Sequence, residues 1–172
     1  IIAEKLGMEL YDRDLIDKAA EKIVAMPKEV LEKADEKKHN PWLHQVWYDV
    51  PNMEKYYETG SNKSFYNLFE AECVKKILCI LEANLKENNF KKSVGVITFY
   101  DAQVKLLEER LRDSGFYRRF SHITLRIGSV DRFQGMEEDI IIISFVRNNK
   151  NNNIGFARDS RRINVALSRA RE

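Results

Sequence analysis

The apolar positions of this chain fall into two kinds of pattern. Over the first forty residues they recur at helical spacing. Leu15, Ile16, Ala19, Ala20, Ile23 and Val24 predict one amphipathic helix, with Asp12 or Asp14 as its cap. Val30, Leu31 and Ala34 predict a second, with Pro27 in its first turn. The polar stretch Asp35–Pro41 closes this section. It divides a helical segment over residues 1–40 from an expected α/β domain over 41–172.

Beyond that boundary strand and helix patterns alternate. Gln45–Val50 predicts a short strand, followed by a polar, aromatic-dotted loop through Ser64. Asn67 with Glu70 three residues later matches a capping box and opens a long helix from Leu68 to about Lys86. Val94–Thr98 is apolar and β-branched, a strand pattern. Asp101–Asp113 is amphipathic, with Val104, Leu107 and Leu111 inward and Gly115 as its C-cap. Ile123–Ile127 predicts another strand. Ile140–Phe145 is continuously apolar, as a strand covered on both faces would be. Asn148–Asn153 reads as a flexible loop, and a final short helix is capped by Asp159. This order predicts a three-layer α/β domain with a mainly parallel sheet, preceded by a short helical segment.

Composition narrows the picture modestly. At 172 residues, 44% apolar and 33% charged, the chain has the make-up of a soluble globular protein with a real core. No apolar run approaches a membrane span and no secretory signal is visible, so a cytoplasmic or nucleoid-associated protein without a membrane partner is expected. Cys73 and Cys79 are expected to be reduced thiols on one helix. His39, His44 and His122 lack metal-ligand spacing, and no structural metal is expected.

Charge changes the picture more. The net is only +2, but residues 1–40 hold eight Lys and Arg against ten Asp and Glu, whereas residues 115–172 hold eleven against six. Five of these arginines, Arg158, Arg161, Arg162, Arg169 and Arg171, lie in the run GFARDSRRINVALSRAR. Guanidinium groups are always charged and match phosphate oxygens with a planar fork of donors. Such a run is either a solvated basic face laced with salt bridges or an anion site. Arg162 and Arg169 are seven apart and are expected on one helical face, with Ile163, Val165, Ala166 and Leu167 anchoring the helix.

Two more segments fall at predicted strand ends, where α/β sheets bind ligands. In GVITFYDAQ, Thr98 can donate to a phosphate or backbone group, and Tyr100 is either a stacking surface for a base or a core tyrosine. In GSVDRFQGMEED, Ser129 and Asp131 follow a strand, Gln134-Gly135 supplies a tight turn and Glu137 precedes the next strand. A carboxylate there can bind a ribose hydroxyl or order a water, or be a surface acid of a simple turn.

Taken together, VITFYDAQ, SVDRFQGMEEDIIIISFVR and GFARDSRRINVALSRAR resemble motifs IV, V and VI of superfamily-1 helicases, most closely the branch of the nonsense-mediated-decay helicase and Senataxin. The likeness covers roughly residues 42–172, with Phe99 where proline is usual and Ser168 where threonine is usual. It implies the second RecA-like motor domain of an ATP-dependent DNA or RNA helicase or translocase. By that resemblance Arg169 is the arginine finger. Glu137, Gly135, Gln134, Arg162 and Asn164 lie toward the nucleotide, and Thr98, Tyr100, Ser129 and Asp131 toward a single-stranded nucleic acid.

The implied cofactors are ATP and Mg²⁺, held mainly by a first RecA-like domain. No G-x-x-x-x-G-K-[ST] loop and no acidic Mg²⁺-binding strand occur in this chain, so it is expected to be a piece of a larger protein and inactive alone. Residues 1–40 more weakly resemble the part of cytidylate-kinase-like proteins after their phosphate loop, the alternative being that LYDRDLID resembles the helicase segment entering the second motor domain. A non-catalytic nucleic-acid-binding or regulatory module, and a remnant of such a kinase, are the alternative readings.

Overall fold

The sheet is built around one strand that is apolar on both faces. The computed structural model describes residues 50–61, 64–113 and 120–171. In chain order these form β1 (Thr59–Ser61), β2 (Ser64–Tyr66), α1 (Leu68–Glu87), β3 (Lys92–Thr98), α2 (Asp101–Asp113), β4 (Ile123–Ser129), β5 (Ile140–Ser144) and α3 (Ser160–Leu167). Short 3₁₀ turns cover Glu54–Tyr56, Val130–Phe133 and Gly155–Arg158. The two helices expected before Pro41, the strand expected before Pro51 and the Gly115 cap lie outside the described residues, as does the kinase-like resemblance.

β3 is central and runs parallel to both neighbours, in the order β4-β3-β5. The register aligns the three carboxyl ends: Thr98 faces Ser129 on one side and Ser144 on the other. Val94, Val96 and Ile97 are fully buried, and alternation sends Ile97 to the opposite face from its neighbours. On the Ile97 face, Val130, Phe133 and Ala166 complete a cluster that carries α3. α1 and α2 pack against the other face. Helices on both sides of a parallel sheet make the expected three-layer α/β, RecA-like arrangement.

α1 buries Val74, Leu78, Leu81 and Leu85, a stripe spaced four, three and four. It ends in a Schellman arrangement, with Asn89 at φ +56 and Phe90 N–H on the Leu85 carbonyl at 2.9 Å. Its start is only half of the expected capping box. Asn67 Oδ1 accepts from Glu70 N–H at 3.1 Å, but the Glu70 carboxylate does not reach back. Instead it accepts from Ser144 Oγ at 2.6 Å and Val146 N–H at 3.0 Å, while Asn67 N–H is taken by Gln103 Oε1 at 2.8 Å. The box opens because its glutamate serves the end of β5. Val146 is β-branched yet sits at φ +72, a strained conformation fixed by Glu70 and by the Asn67 amide on its carbonyl.

Three expectations are corrected. The polar loop before Ser64 contains the hairpin β1–β2, paired Thr59 to Tyr66. Ser64 Oγ accepts from Ala102 N–H at 3.2 Å and so caps α2. β5 is half-buried rather than fully covered, because among the described strands it is an edge. At its foot Glu138 N–H donates to the Arg169 carbonyl and Arg171 N–H to the Glu138 carbonyl, both at 2.9 Å, which starts a further parallel pairing. The asparagine loop is stitched rather than loose. Asn149 bonds Asn153 at 2.9 Å and Glu58 at 3.0 Å, Asn148 bonds Pro51 at 3.0 Å, and Glu58 also pairs with Arg147 at 2.7 Å. Short amides satisfy neighbouring backbone groups well, so a run of them can hold a turn.

Candidate nucleotide and nucleic-acid interface

Directly after β4 the chain tightens into the Val130–Phe133 turn, which buries Val130 and Phe133 and leaves Asp131 in solvent. The next four residues, Gln134–Glu137, form an exposed rim. Gly135 holds φ +78, a conformation that other residues resist. Glu138 then turns inward and pairs with Arg126 at 3.2 Å, so of two adjacent glutamates only Glu137 faces solvent.

The arginine run meets this rim through one residue. α3 is only eight residues long and Ser168 is its C-cap, so Arg169 stands beyond the helix. Its guanidinium folds back, with Nε on the Val165 carbonyl at 3.0 Å, Nη2 on Ser168 Oγ at 2.9 Å and Nη1 on the Met136 carbonyl at 3.2 Å. All three acceptors are neutral. Arg162 goes elsewhere: Nη2 lies 3.3 Å from Asp131 Oδ2, and the guanidinium carbon is 5.0 Å from the centre of the Phe156 ring. The two arginines therefore do not share a face, because the helix ends before the second. Leu167, expected as an anchor, is half exposed although it lies within α3, while Ala166 is fully buried.

Much of the run's repulsion is answered within the chain. Arg161 pairs with Asp159 at 3.4 Å and Arg171 with Asp139 at 3.2 Å, alongside the Arg162 pair. Asp159 caps α3 on Arg161 N–H, and that bond holds its carboxyl below the usual carboxylate range. Burial pushes the Asp139 carboxyl up, but Ser93 N–H at 2.7 Å, the Ser93 hydroxyl and the charges of Lys92 and Arg171 outweigh it, and the net shift is downward. Among the described residues Arg169 has no such acidic partner.

The segment after β3 is mostly interior. Thr98 is fully buried, and its Oγ1 has no hydrogen-bond partner. Tyr100 is 3% exposed, with Phe65 edge-on at 5.6 Å and Phe156 at 5.1 Å. Neither side chain is open to a strand in this structure, and Tyr100 is the core tyrosine of the two readings. Ser129 is half-buried, and Asp131 and Asn164 are exposed. The structure thus groups Gln134, Gly135, Glu137 and Arg169 at one rim, and Asp131 with Arg162 at another.

A family model described as an AAA domain matches residues 2–172. The chain belongs to this family. Regulator of nonsense transcripts 1 homolog of Drosophila melanogaster is 42% identical over 113 residues, 65% of this chain and 9% of that protein. The Neurospora crassa homolog is 37% identical over 126 residues, 73% of this chain and 11% of that protein. Helicase sen1 of Schizosaccharomyces pombe is 37% identical over 135 residues, 74% of this chain and 8% of that protein. These relatives bear out the superfamily-1 helicase resemblance in the nonsense-decay and Senataxin branch. The chain spans about a tenth of their length. The family match takes in residues 2–40 as well.

Which groups of an AAA-family substrate these residues suit follows from their donors. An arginine fork with only neutral partners fits a phosphate oxygen. A divalent cation fits less well. Among the described residues no cluster of three or more His, Cys, Asp and Glu side chains is placed to hold one.

Sequence reasoning missed two features. Phe156 lies on the Gly155–Arg158 turn, 41% exposed. The set of buried Asn67, Gln103 and Ser144 with half-buried Glu70 joins the starts of α1 and α2 to the end of β5, with Gln103 Nε2 also 3.1 Å from Ser144 Oγ. Burial pushes the Glu70 carboxyl up, and nearby Glu58 adds to this, while the bonds from Ser144 and Val146 only partly offset it. The Asn67–Glu70 spacing signals only an ordinary capping box and gives no sign of the bonds to Ser144 and Val146.

Proposed function

We propose that this chain is the C-terminal motor half of an ATP-dependent helicase or translocase acting on single-stranded nucleic acid. Arg169 is the arginine finger of that motor. The observation that carries the reading is the state of its guanidinium: three neutral acceptors fix it beside the Gln134–Glu137 rim, and no carboxylate among the described residues neutralises it. A positioned, uncompensated cation is what a phosphoryl-transfer transition state requires. Such a finger contributes about 10³–10⁵ in rate.

Glu137 is the exposed carboxylate of the rim and is suited to a ribose hydroxyl, with Gln134 and Gly135 shaping its turn. Arg162 and Asn164 couple nucleotide state to the closure of two RecA-like domains, Arg162 through its link to Asp131. Ser129 and Asp131 border the strand track at the carboxyl ends of β3 and β4, contacting backbone rather than reading bases. The phosphate loop and the Mg²⁺ ligands belong to the partner motor domain. ATP hydrolysis between the two domains opens and closes the cleft and moves the strand.

The test is Arg169→Ala in the full-length protein. ATP binding, read with a fluorescent nucleotide, is expected to be nearly unchanged, and hydrolysis to fall by about a thousandfold or more. Hydrolysis at the wild-type rate would sink the assignment.

A further inference from the structure

The aromatic surface at the strand end belongs to Phe156, not to Tyr100. Phe156 is held by four features. Gly155 holds φ +55, and a Cβ there would collide with the Tyr100 hydroxyl, so only glycine lets the turn approach so closely. Phe156 N–H donates to that hydroxyl at 3.2 Å. The Tyr100 ring lies 5.1 Å from the Phe156 ring, tilted by 33°. The Phe156 carbonyl accepts from Asp159 N–H at 3.2 Å, tying the turn to the cap of α3. A rigidly mounted ring that remains 41% exposed costs little further order to use.

Its surroundings select the occupant. Arg162 stands 5.0 Å from the ring centre, as a cation over a π-face. Arg158 and Arg161 follow on the same turn and helix start, both exposed, and Arg161 is 90% so at its side chain. Ile154, on the other side of Gly155, is 49% exposed and adds apolar surface. Flat apolar area with one guanidinium over it and further arginines in the adjoining chain suits a ligand that is aromatic and anionic in alternation. A single-stranded nucleic acid has that chemistry: each base has a π-face and each link a phosphate.

We propose that Phe156 is a stacking platform for one base of a bound single strand, with Arg162 closing over that base. This rests on the strand-binding reading above and names the residue through which it acts. Tyr100 is the positioning residue, since it touches the ring and not the strand. Binding the base draws Arg162 outward from the ring while Asp131, 3.3 Å away, keeps it within reach.

The experiment compares the full-length protein with Phe156→Ala and Phe156→Tyr. Two fluorescein-labelled strands of equal length serve as probes, a thymidine oligonucleotide and an abasic one, and binding is read by anisotropy. Phe156→Ala is expected to weaken binding to the base-bearing strand about tenfold or more, the scale of one lost stacked base. Phe156→Tyr should restore it to within about twofold, since the ring face is kept. Wild type and Phe156→Ala should bind the abasic strand alike. Unchanged affinity of Phe156→Ala for the base-bearing strand would overturn the platform and leave the strand track standing, as would an equal loss on both strands. Failure of the wild type to bind either strand would overturn the track and the platform with it. Circular dichroism and thermal unfolding of both variants show whether the turn has kept its fold, and the tyrosine variant keeps the test decisive if the alanine variant has not.

Discussion

Arg162 and Asp131 meet at 3.3 Å across two segments that lie thirty-one residues apart in the chain. One side belongs to the turn after β4, at the strand track proposed above, and the other to the helix that leads to Arg169. Their side chains are 34% and 71% exposed, so as a surface ion pair the contact adds little stability, about 0–1 kcal/mol. Its value as a link is separate from its value as a staple. Arg162→Ala and Asp131→Asn should each leave the unfolding midpoint nearly unchanged while reducing the stimulation of ATP hydrolysis by a single strand. If the pair acts as a unit, the double variant should lose no more than Arg162→Ala alone. Additive losses in that cycle would show two independent roles.

The periodicity of the chain was informative where one element decides its own form. α2 begins and ends where its amphipathic pattern does, with Val104, Leu107 and Leu111 all buried. Asp159 was legible as a cap because capping is a local bond. Long-range choices were not legible. Glu70 deserts its own helix start for Ser144 and Val146, more than seventy residues away, and no local rule foresees that. The expectation of a basic stripe on α3 assumed a helix that runs on through Arg169, whereas α3 ends at Leu167. Tyr100 is buried and Phe156 exposed because Gly155 lets the backbone pass over the tyrosine hydroxyl. Only the fold reveals which of two aromatics is on top.

Glu82 gathers the edge of the sheet onto α1. Its carboxylate accepts from Ser121 N–H at 2.8 Å, the Ser121 hydroxyl at 3.1 Å, His122 N–H at 3.1 Å and Ile123 N–H at 3.0 Å, with His122 Nδ1 at 3.2 Å. Burial pushes its carboxyl up, but these donors outweigh burial and hold it below the ordinary value of 4.5. A carboxyl depressed in the folded state stabilises above its unfolded value, and that stability is lost as pH falls through the folded one. Glu82→Gln should therefore be less stable than wild type near pH 7, by about 1–3 kcal/mol for bonds to a charged acceptor. The gap should close as pH falls well below 4.5. Urea unfolding at pH 7 and pH 3 checks this, and a gap that persists at the lower pH would mean that the charge is not what matters.

Glu70 reverses that sign. It is buried among the ends of α1 and β5, and burial, reinforced by Glu58, holds its carboxyl above 4.5 despite the bonds from Ser144 and Val146. The folded chain then keeps a proton that the unfolded chain releases. Stability from this group is fully present below the unfolded value and declines as pH rises from about 4.5 toward the raised folded value. Glutamine keeps an oxygen that can accept from both the Ser144 hydroxyl and Val146 N–H, but carries no charge to desolvate. Glu70→Gln should thus match wild type near pH 4.5 and exceed it in stability by pH 8, which denaturant midpoints at the two values would reveal. Glu70→Ala should be destabilised at both, because Ser144 Oγ and Val146 N–H would lose their acceptor and Val146 would no longer be held at φ +72. A glutamine variant weaker than wild type at pH 8 would mean that the charged form is favoured by the fold and that Glu70 is ionised in its buried site.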